Sequence, residues 1–342
     1  MAEIYKLFNT DDIMQGDVQT ISQPIWSENM NPFSASYASG IGFFTSATQL
    51  SQSGDYYMNV YHRNPSTSTN AQIQFALAYG HRFGSGSVGD PNTVGNNAND
   101  TPSRAIYSQY RNMLLPPTDR VFTINDVNAD EIVVINIARS RFRQKIDPGN
   151  WEIRIGSGSS NWATNYISLI DGSGAGEDAS INQAGRIFGV FSGSGGVTAS
   201  SQQYGLFYPD QGIIVLHAGY LRSNAGVPFD SSSGVQARNH VTMSARISGS
   251  SYFSARSEEK VTSTHYFVRI TNQNFNFSNN PTFVTGSTGT FLHPSMLRNP
   301  SVYITTIGMY DDNNRLLAVA KLSKPLLKTF NREALIKVKL DY

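Results

Sequence analysis

Apolar and polar positions alternate most cleanly at the end of the chain. From Ala334 to Tyr342, Ile336, Val338, Leu340 and Tyr342 share one face and Lys337, Lys339 and Asp341 the other. That period of two marks a half-buried strand. Just upstream, the apolar runs Val302 to Tyr310 and Leu316 to Leu322 flank Asp311-Asp312-Asn313-Asn314. Aspartate and asparagine bond their own backbone and tolerate left-handed φ, so the tetrapeptide reads as a hairpin turn. Pro325 has no N–H to give a ladder and is expected to stop the return strand. The three segments are expected to form an ordinary three-stranded sheet.

The same pattern, weaker, recurs upstream. Tyr56 to His62 reads as a strand, as does Gln72 to Tyr79, with Ile73, Phe75, Leu77 and Tyr79 inward and Gln72 and Gln74 outward. Ile132 to Ile137 is almost continuously apolar, the signature of a central strand covered on both faces. Shorter strands are expected at Val121 to Ile124, Tyr166 to Ile170, Arg186 to Phe191, Tyr204 to Tyr208, Gly212 to His217 and Thr264 to Ile270, set among Gly/Ser loop tips. Thr101 and Pro102 open a helix carrying Ile106, Tyr110, Met113 and Leu114, and Pro116-Pro117 closes it. Gly84 to Asn99 is expected to be an exposed loop, and residues 221–250 show no clear period. The fold class is therefore mainly β (α+β): an antiparallel β-sandwich or barrel-like body with one packed helix and a C-terminal antiparallel β module. Residues 1–25 read as an N-terminal arm, 26–250 as the main β domain with its helix near 102–115, and 251–342 as the C-terminal module.

Two stretches read as interface candidates. Ile4, Tyr5, Leu7 and Phe8 form an apolar cluster in the arm, which packs either on its own domain or on a neighbouring subunit. Arg139, Arg141, Arg143 and Lys145 alternate, so a strand there would carry a cationic face, followed by a turn at Asp147-Pro148-Gly149-Asn150 and a return through Trp151, Ile153 and Ile155. Such a face is either a solvated edge bonded to local acids or a docking surface for an acidic neighbour.

Composition narrows the function. The 342 residues carry 26 Lys plus Arg against 25 Asp plus Glu, a net charge of +1, which argues against a dedicated nucleic-acid binder. Only 15% of residues are charged and 11% are aromatic, a mix suited to surfaces that meet other proteins. There is no cysteine, which excludes disulfides and thiolate chemistry. Acids near the start, where a signal peptide needs basic residues and an apolar run, point to synthesis in the cytosol, and no stretch reads as a membrane span. Gly84-Ser-Gly-Ser-Val-Gly89 matches G-x-G-x-x-G, but Asp90-Pro91 follows and no helix opens to hold a phosphate. The six histidines lack metal-ligand spacing, and no G-x-S-x-G elbow occurs. Asp55, Asp147, Glu152, Asp171, Glu177 and Asp178 are the acids from which a hydrolytic pair would be drawn, a choice that only spatial separation decides. No catalytic residue, metal ligand or cofactor site is assigned.

The segment Tyr303 to Pro325 with Ala334 to Tyr342 resembles the C-terminus of structural proteins from large contractile-tailed phages, including myophages of cyanobacteria. Asn274 to Phe283, Ile106 to Leu115 and Asp147 to Trp151 look like further blocks of that family. The resemblance implies a non-enzymatic virion component of the tail, preferably a baseplate wedge part, assembled in the host cytoplasm with other tail proteins and with copies of itself. It brings no catalytic residues, and neither nucleic acid nor membrane insertion is expected. Alternatives are a receptor- or glycan-binding tail protein, with Trp151 and Trp162 stacking on sugars, a neck or capsid-associated protein, and, last, an enzyme that degrades cell-wall polysaccharide.

Overall fold

A computed structural model describes residues 5–26, 44–47, 57–61, 68–86, 101–231, 238–277, 282–285 and 288–342. The strands and helices, in chain order, are β1 (Ile13–Pro24), β2 (Phe44–Ala47), β3 (Tyr57–Tyr61), β4 (Ile73–His81), α1 (Pro102–Leu114), β5 (Phe122–Ile124), β6 (Val127–Ala129), β7 (Glu131–Ile137), β8 (Lys145–Gly156), β9 (Tyr166–Asp171) and β10 (Ser180–Asn182). They continue as β11 (Gly185–Ser194), β12 (Val197–Tyr208), β13 (Ile213–His217), α2 (Ala218–Ala225), α3 (Asn239–Ser250), β14 (Phe253–Ile270), β15 (Ser301–Tyr310), β16 (Leu316–Thr329) and β17 (Ala334–Asp341). The protein is mainly β. Its chain divides into a central unit, Ile21–Glu259, and a terminal unit made of Met1–Thr20 and Lys260–Tyr342.

In the central unit the strand order is β14-β8-β9-β11-β12-β13-β7-β4-β3-β2. The middle of this sheet is apolar on both faces, as the Ile132 to Ile137 run requires. Val134 pairs with Ala78 on one side and Val215 on the other, while Ile135 pairs with Leu77 and Ile214. Cross-strand partners share a face, so alternate residues of β7 feed two cores. One holds Val133, Ile135, Phe75 and Leu216 beneath Leu221 of α2 and Met243 and Ile247 of α3. The other holds Ile132, Val134 and Val215 beneath Tyr107, Tyr110 and Leu114 of α1 and Phe122 of β5. Gly80 of β4 lets α1 lie close, since a Cβ there would stand 3.0 Å from the Tyr107 backbone nitrogen. The first face curls on itself: Phe253 of β14 meets Phe75 of β4 edge-on at 5.1 Å, with Trp26 against both. This gives the barrel-like body, but with three α-helices among the described residues where the sequence showed one.

Several local expectations change. Asp147-Pro148-Gly149-Asn150 does not end a hairpin. Ile146 pairs with Ser257 and Trp151 with Ala255, so the four residues bulge out of β8 opposite Arg256 and the strand resumes on the same partner. Gly149 makes the bulge possible with φ +80°. Residues 139–144 form no strand: Arg139–Arg141 make a 3-10 turn that drives Phe142 into the core, so the alternation breaks before β8 begins at Lys145. Gln74, expected outward, is buried because α-helices cover both sides of the sheet. The Gly84–Gly89 motif runs beyond the described residues after Gly86, as does most of the expected Gly84 to Asn99 loop.

In the terminal unit β17 pairs antiparallel with β14, Val338 opposite Tyr266 and Ile336 opposite Val268. Its alternation holds, with Ile336 buried and Leu335, Lys337 and Lys339 exposed. β15 and β16 form a separate two-stranded sheet, so the expected three-stranded sheet is not made. Asp311 closes the hairpin as the sequence suggests, accepting from the backbone N–H groups of Asn313 and Arg315. Pro325 does not end β16. Ile304 pairs with Leu326 and Thr306 with Lys321, which places Pro325 in an irregular stretch opposite Thr305 where no ladder donor is needed.

Candidate assembly surface

The two units differ in what they bury. Among the described residues of the terminal unit, only Ile270 and Ile336 are buried hydrophobics, and neither core cluster contains a residue of this unit. Polar contacts hold it instead. Lys328 is fully buried, and its Nζ donates to the Asn272 carbonyl at 3.0 Å and to Asn276 Oδ1 at 2.9 Å. Burial pushes its pKa below the usual lysine range. Ser263 Oγ donates to Asp341 at 2.8 Å, and Thr264 lies within hydrogen-bond reach of the Tyr342 hydroxyl.

What a core would take up stays outside. On the hairpin, the register puts Ile304, Tyr310, Val319 and Leu326 on one face with Leu316 at its end, and sets Thr306 and the exposed Lys321 between them. Tyr310, Leu316, Val319 and Leu326 are all exposed, Val319 at 56%. The opposite face carries Tyr303, 64% exposed. An isolated two-stranded ribbon is marginal in water, and among the described residues β15 and β16 pair only with each other. Covering a large apolar side chain is worth about 1.5–3 kcal/mol, so four or five such residues together approach the roughly 4–15 kcal/mol that association must overcome.

The arm residues fall in this same unit. Tyr5 packs edge-on against Tyr310 at 5.2 Å, and Phe8 is tilted against Tyr266 at 5.5 Å. Leu7 points away and is 80% exposed. Ile4 lies outside the described residues.

The four basic candidates separate. Lys145 is buried and pairs with Glu258 at 3.0 Å across the β8–β14 ladder. Arg139 bonds the Phe142 carbonyl at 2.7 Å and stacks on that ring, and Arg141 reaches Gln72 at 2.6 Å. Arg143 is exposed, with Glu259 at 3.9 Å. No shared cationic face results, because a 3-10 turn rotates successive side chains away from one another. Arg143→Glu is accordingly expected to move stability by less than about 1 kcal/mol in a thermal melt.

The acids converge more than their spacing suggested. Asp171 is fully buried and accepts from the Gly149 amide at 2.9 Å, the Ser173 amide at 3.0 Å and the Ser173 hydroxyl. Glu152 accepts from Ser168 at 2.7 Å, Ser194 at 2.9 Å, the Gly195 amide and Arg154. Both carboxylates thus stitch strand to loop. Burial pushes the Glu152 pKa up, but these donors outweigh it and hold it below the usual glutamate value. Its contribution to stability is then full above the ordinary glutamate range and lost as pH falls through the depressed value. Glu152→Gln is expected to flatten the acid side of the pH–melting curve.

Glu177 differs. Burial and the nearby Asp171 charge raise its pKa, and the Gly189 amide at 3.1 Å only partly offsets them. It lines a groove of about 540 Å³ with Gly172, Phe191, Thr198 and Ser200. Trp151 is buried against Phe207, and Trp162 is half-buried with Arg246 stacked on its ring.

A second polar knot closes the end of β7. Glu131 accepts from both terminal nitrogens of Arg222, at 2.7 and 2.5 Å, and from the Tyr79 hydroxyl at 3.0 Å. His81 and His217 each accept a backbone N–H at Nδ1, from Phe83 and Gly219 respectively. Burial lowers both imidazole pKa values against the pull of Glu131 and Asp130. Among the described residues, no group of three or more His, Asp or Glu side chains is placed to hold a metal ion.

No family model, curated protein or solved structure matches this chain.

Proposed function

We propose that this chain is a non-enzymatic structural subunit of a contractile phage tail, a baseplate component that links neighbouring subunits and assembles in the host cytoplasm. One observation carries the assembly half of the reading: a terminal unit with almost no buried apolar side chains of its own and an exposed apolar hairpin. The resemblance of that same hairpin and of β17 to phage tail proteins supplies the particle. The partners are other tail proteins and further copies of this chain. Proteomics and a density map of purified tails test the reading. Finding the chain at a fixed position, with the β15–β16 ribbon against a neighbour, supports it. Finding the chain free in lysates and missing from finished particles overturns it.

A glycan-binding role rests on a different feature, the groove beside Glu177, where hydroxyls, a carboxyl and the Phe191 ring meet. A glycan array probed with the parent chain and with Glu177→Gln tests it, with binding lost in the variant as the supporting result.

A further inference from the structure

The edges of the terminal unit are not alike. An open strand edge invites pairing with another chain, and proteins block it with charges, prolines and irregularities. β16 carries Lys321, Lys324 and Pro325 beside a break in its register. β17 carries Lys337, Lys339 and Asp341. β15 has none of these devices. Ser301-Val-Tyr-Ile-Thr-Thr-Ile-Gly-Met-Tyr310 contains no charged residue and no proline, and is rich in β-branched and aromatic residues. Among the described residues its one partner is β16, so its other edge is unpaired.

We propose that β15 is a dimerisation edge that pairs antiparallel with β15 of a second copy, joining two hairpins into a four-stranded sheet. This rests on the assembly reading above and names its first partner. A second copy fits for reasons of charge and shape. A neutral strand meets its own image without repulsion, whereas a charged partner strand would lose solvation against an edge that has nothing to pair with it. Antiparallel pairing about a two-fold axis normal to the sheet keeps each face on its own side. It requires a residue to meet itself or one an even number of positions away. Centred on Thr305 or Thr306, both exposed, it gives Thr–Thr or Thr–Ile neighbours of the kind that stabilise sheets. The face bearing Ile304, Tyr310, Val319 and Leu326, with Lys321 among them, then extends across both copies and doubles the area open to the next subunit.

The absence of cysteine makes the test direct. Thr305→Cys and Thr306→Cys are made separately in the full chain, with Val319→Cys on β16 as the control. Directly opposed residues of an antiparallel pair lie about 4.5–5.5 Å apart at Cα, within disulfide range. Mild oxidation is expected to give a covalent dimer at 305 or at 306, at least tenfold faster than at 319. Thr306→Glu, which faces Lys321 across the hairpin, is expected to leave the circular dichroism spectrum unchanged and to raise the dimer dissociation constant at least tenfold in sedimentation. A monomer at all concentrations, or crosslinking at 319 and neither threonine, overturns the proposal. These measurements use purified protein, so a failed β15 pairing and a chain missing from particles are separate results.

Discussion

A chain carrying Val319→Asp together with Leu326→Asp is expected to melt as the parent does and to fail to enter the assembly. Both side chains are exposed in the single chain, where surface substitutions change stability by about 0.5 kcal/mol or less. Against a neighbour the same positions become the centre of an apolar face. Lys321 shares this face and can pair one of the two carboxylates; the other, buried without a partner, costs on the order of 3–5 kcal/mol, and each 1.4 kcal/mol is about tenfold in affinity. Docking is therefore weakened by roughly a hundredfold to a thousandfold. The check is a paired measurement: thermal melting of the purified chain, and the fraction of variant recovered in tails when it replaces the parent. A large drop in melting temperature would show the face to be a core and not an interface.

Arg222→Ala is expected to act in the opposite way, unfolding the central unit without touching the hairpin. Its guanidinium holds both oxygens of Glu131, and Glu131 is 8% exposed. Removing the cation leaves a buried carboxylate with the Tyr79 hydroxyl as its remaining side-chain donor. The expected loss is about 3–5 kcal/mol, read by denaturant unfolding followed through the buried tryptophans. The double variant Arg222→Ala with Glu131→Gln should recover much of it, because the uncompensated charge is then gone.

The strands were legible wherever burial is one-sided or complete. β17 shows its period of two because one face is covered, and β7 shows an apolar run because both are. α1 was legible from Thr101-Pro102 and its apolar spacing, although Tyr107, and not Met113, turns inward. α2 and α3 were not. Their buried residues include small and polar ones, Ser244, Arg246 and Ser248 in α3 among them, so the apolar stripe thins to Met243 and Ile247. The spacing of that pair by four, and Gly226 closing α2 at φ +62°, were the available signals. The bulge at Asp147 to Asn150 has the chemistry of a turn, and local chemistry does not say whether a strand resumes on the same partner. The cationic alternation misled because charge pattern carries no backbone information when a 3-10 turn intervenes. Of the interface candidates, Tyr5, Leu7 and Phe8 lie in the coreless unit, while Lys145 is a buried ion paired with Glu258. The hairpin face was hidden in plain view. Its residues look like any apolar strand, and only the shortage of buried partners marks them as open.

Hydrogen exchange of β15 and β16 in the free chain and in assembled tails tests the central claim most directly. If the terminal unit is half of an interface, their amides exchange quickly in the dilute chain and become strongly protected on assembly, while the amides of β7, held between β4 and β13, stay protected throughout. Protection of the hairpin equal to that of β7 in the dilute monomer, unchanged on assembly, would contradict it.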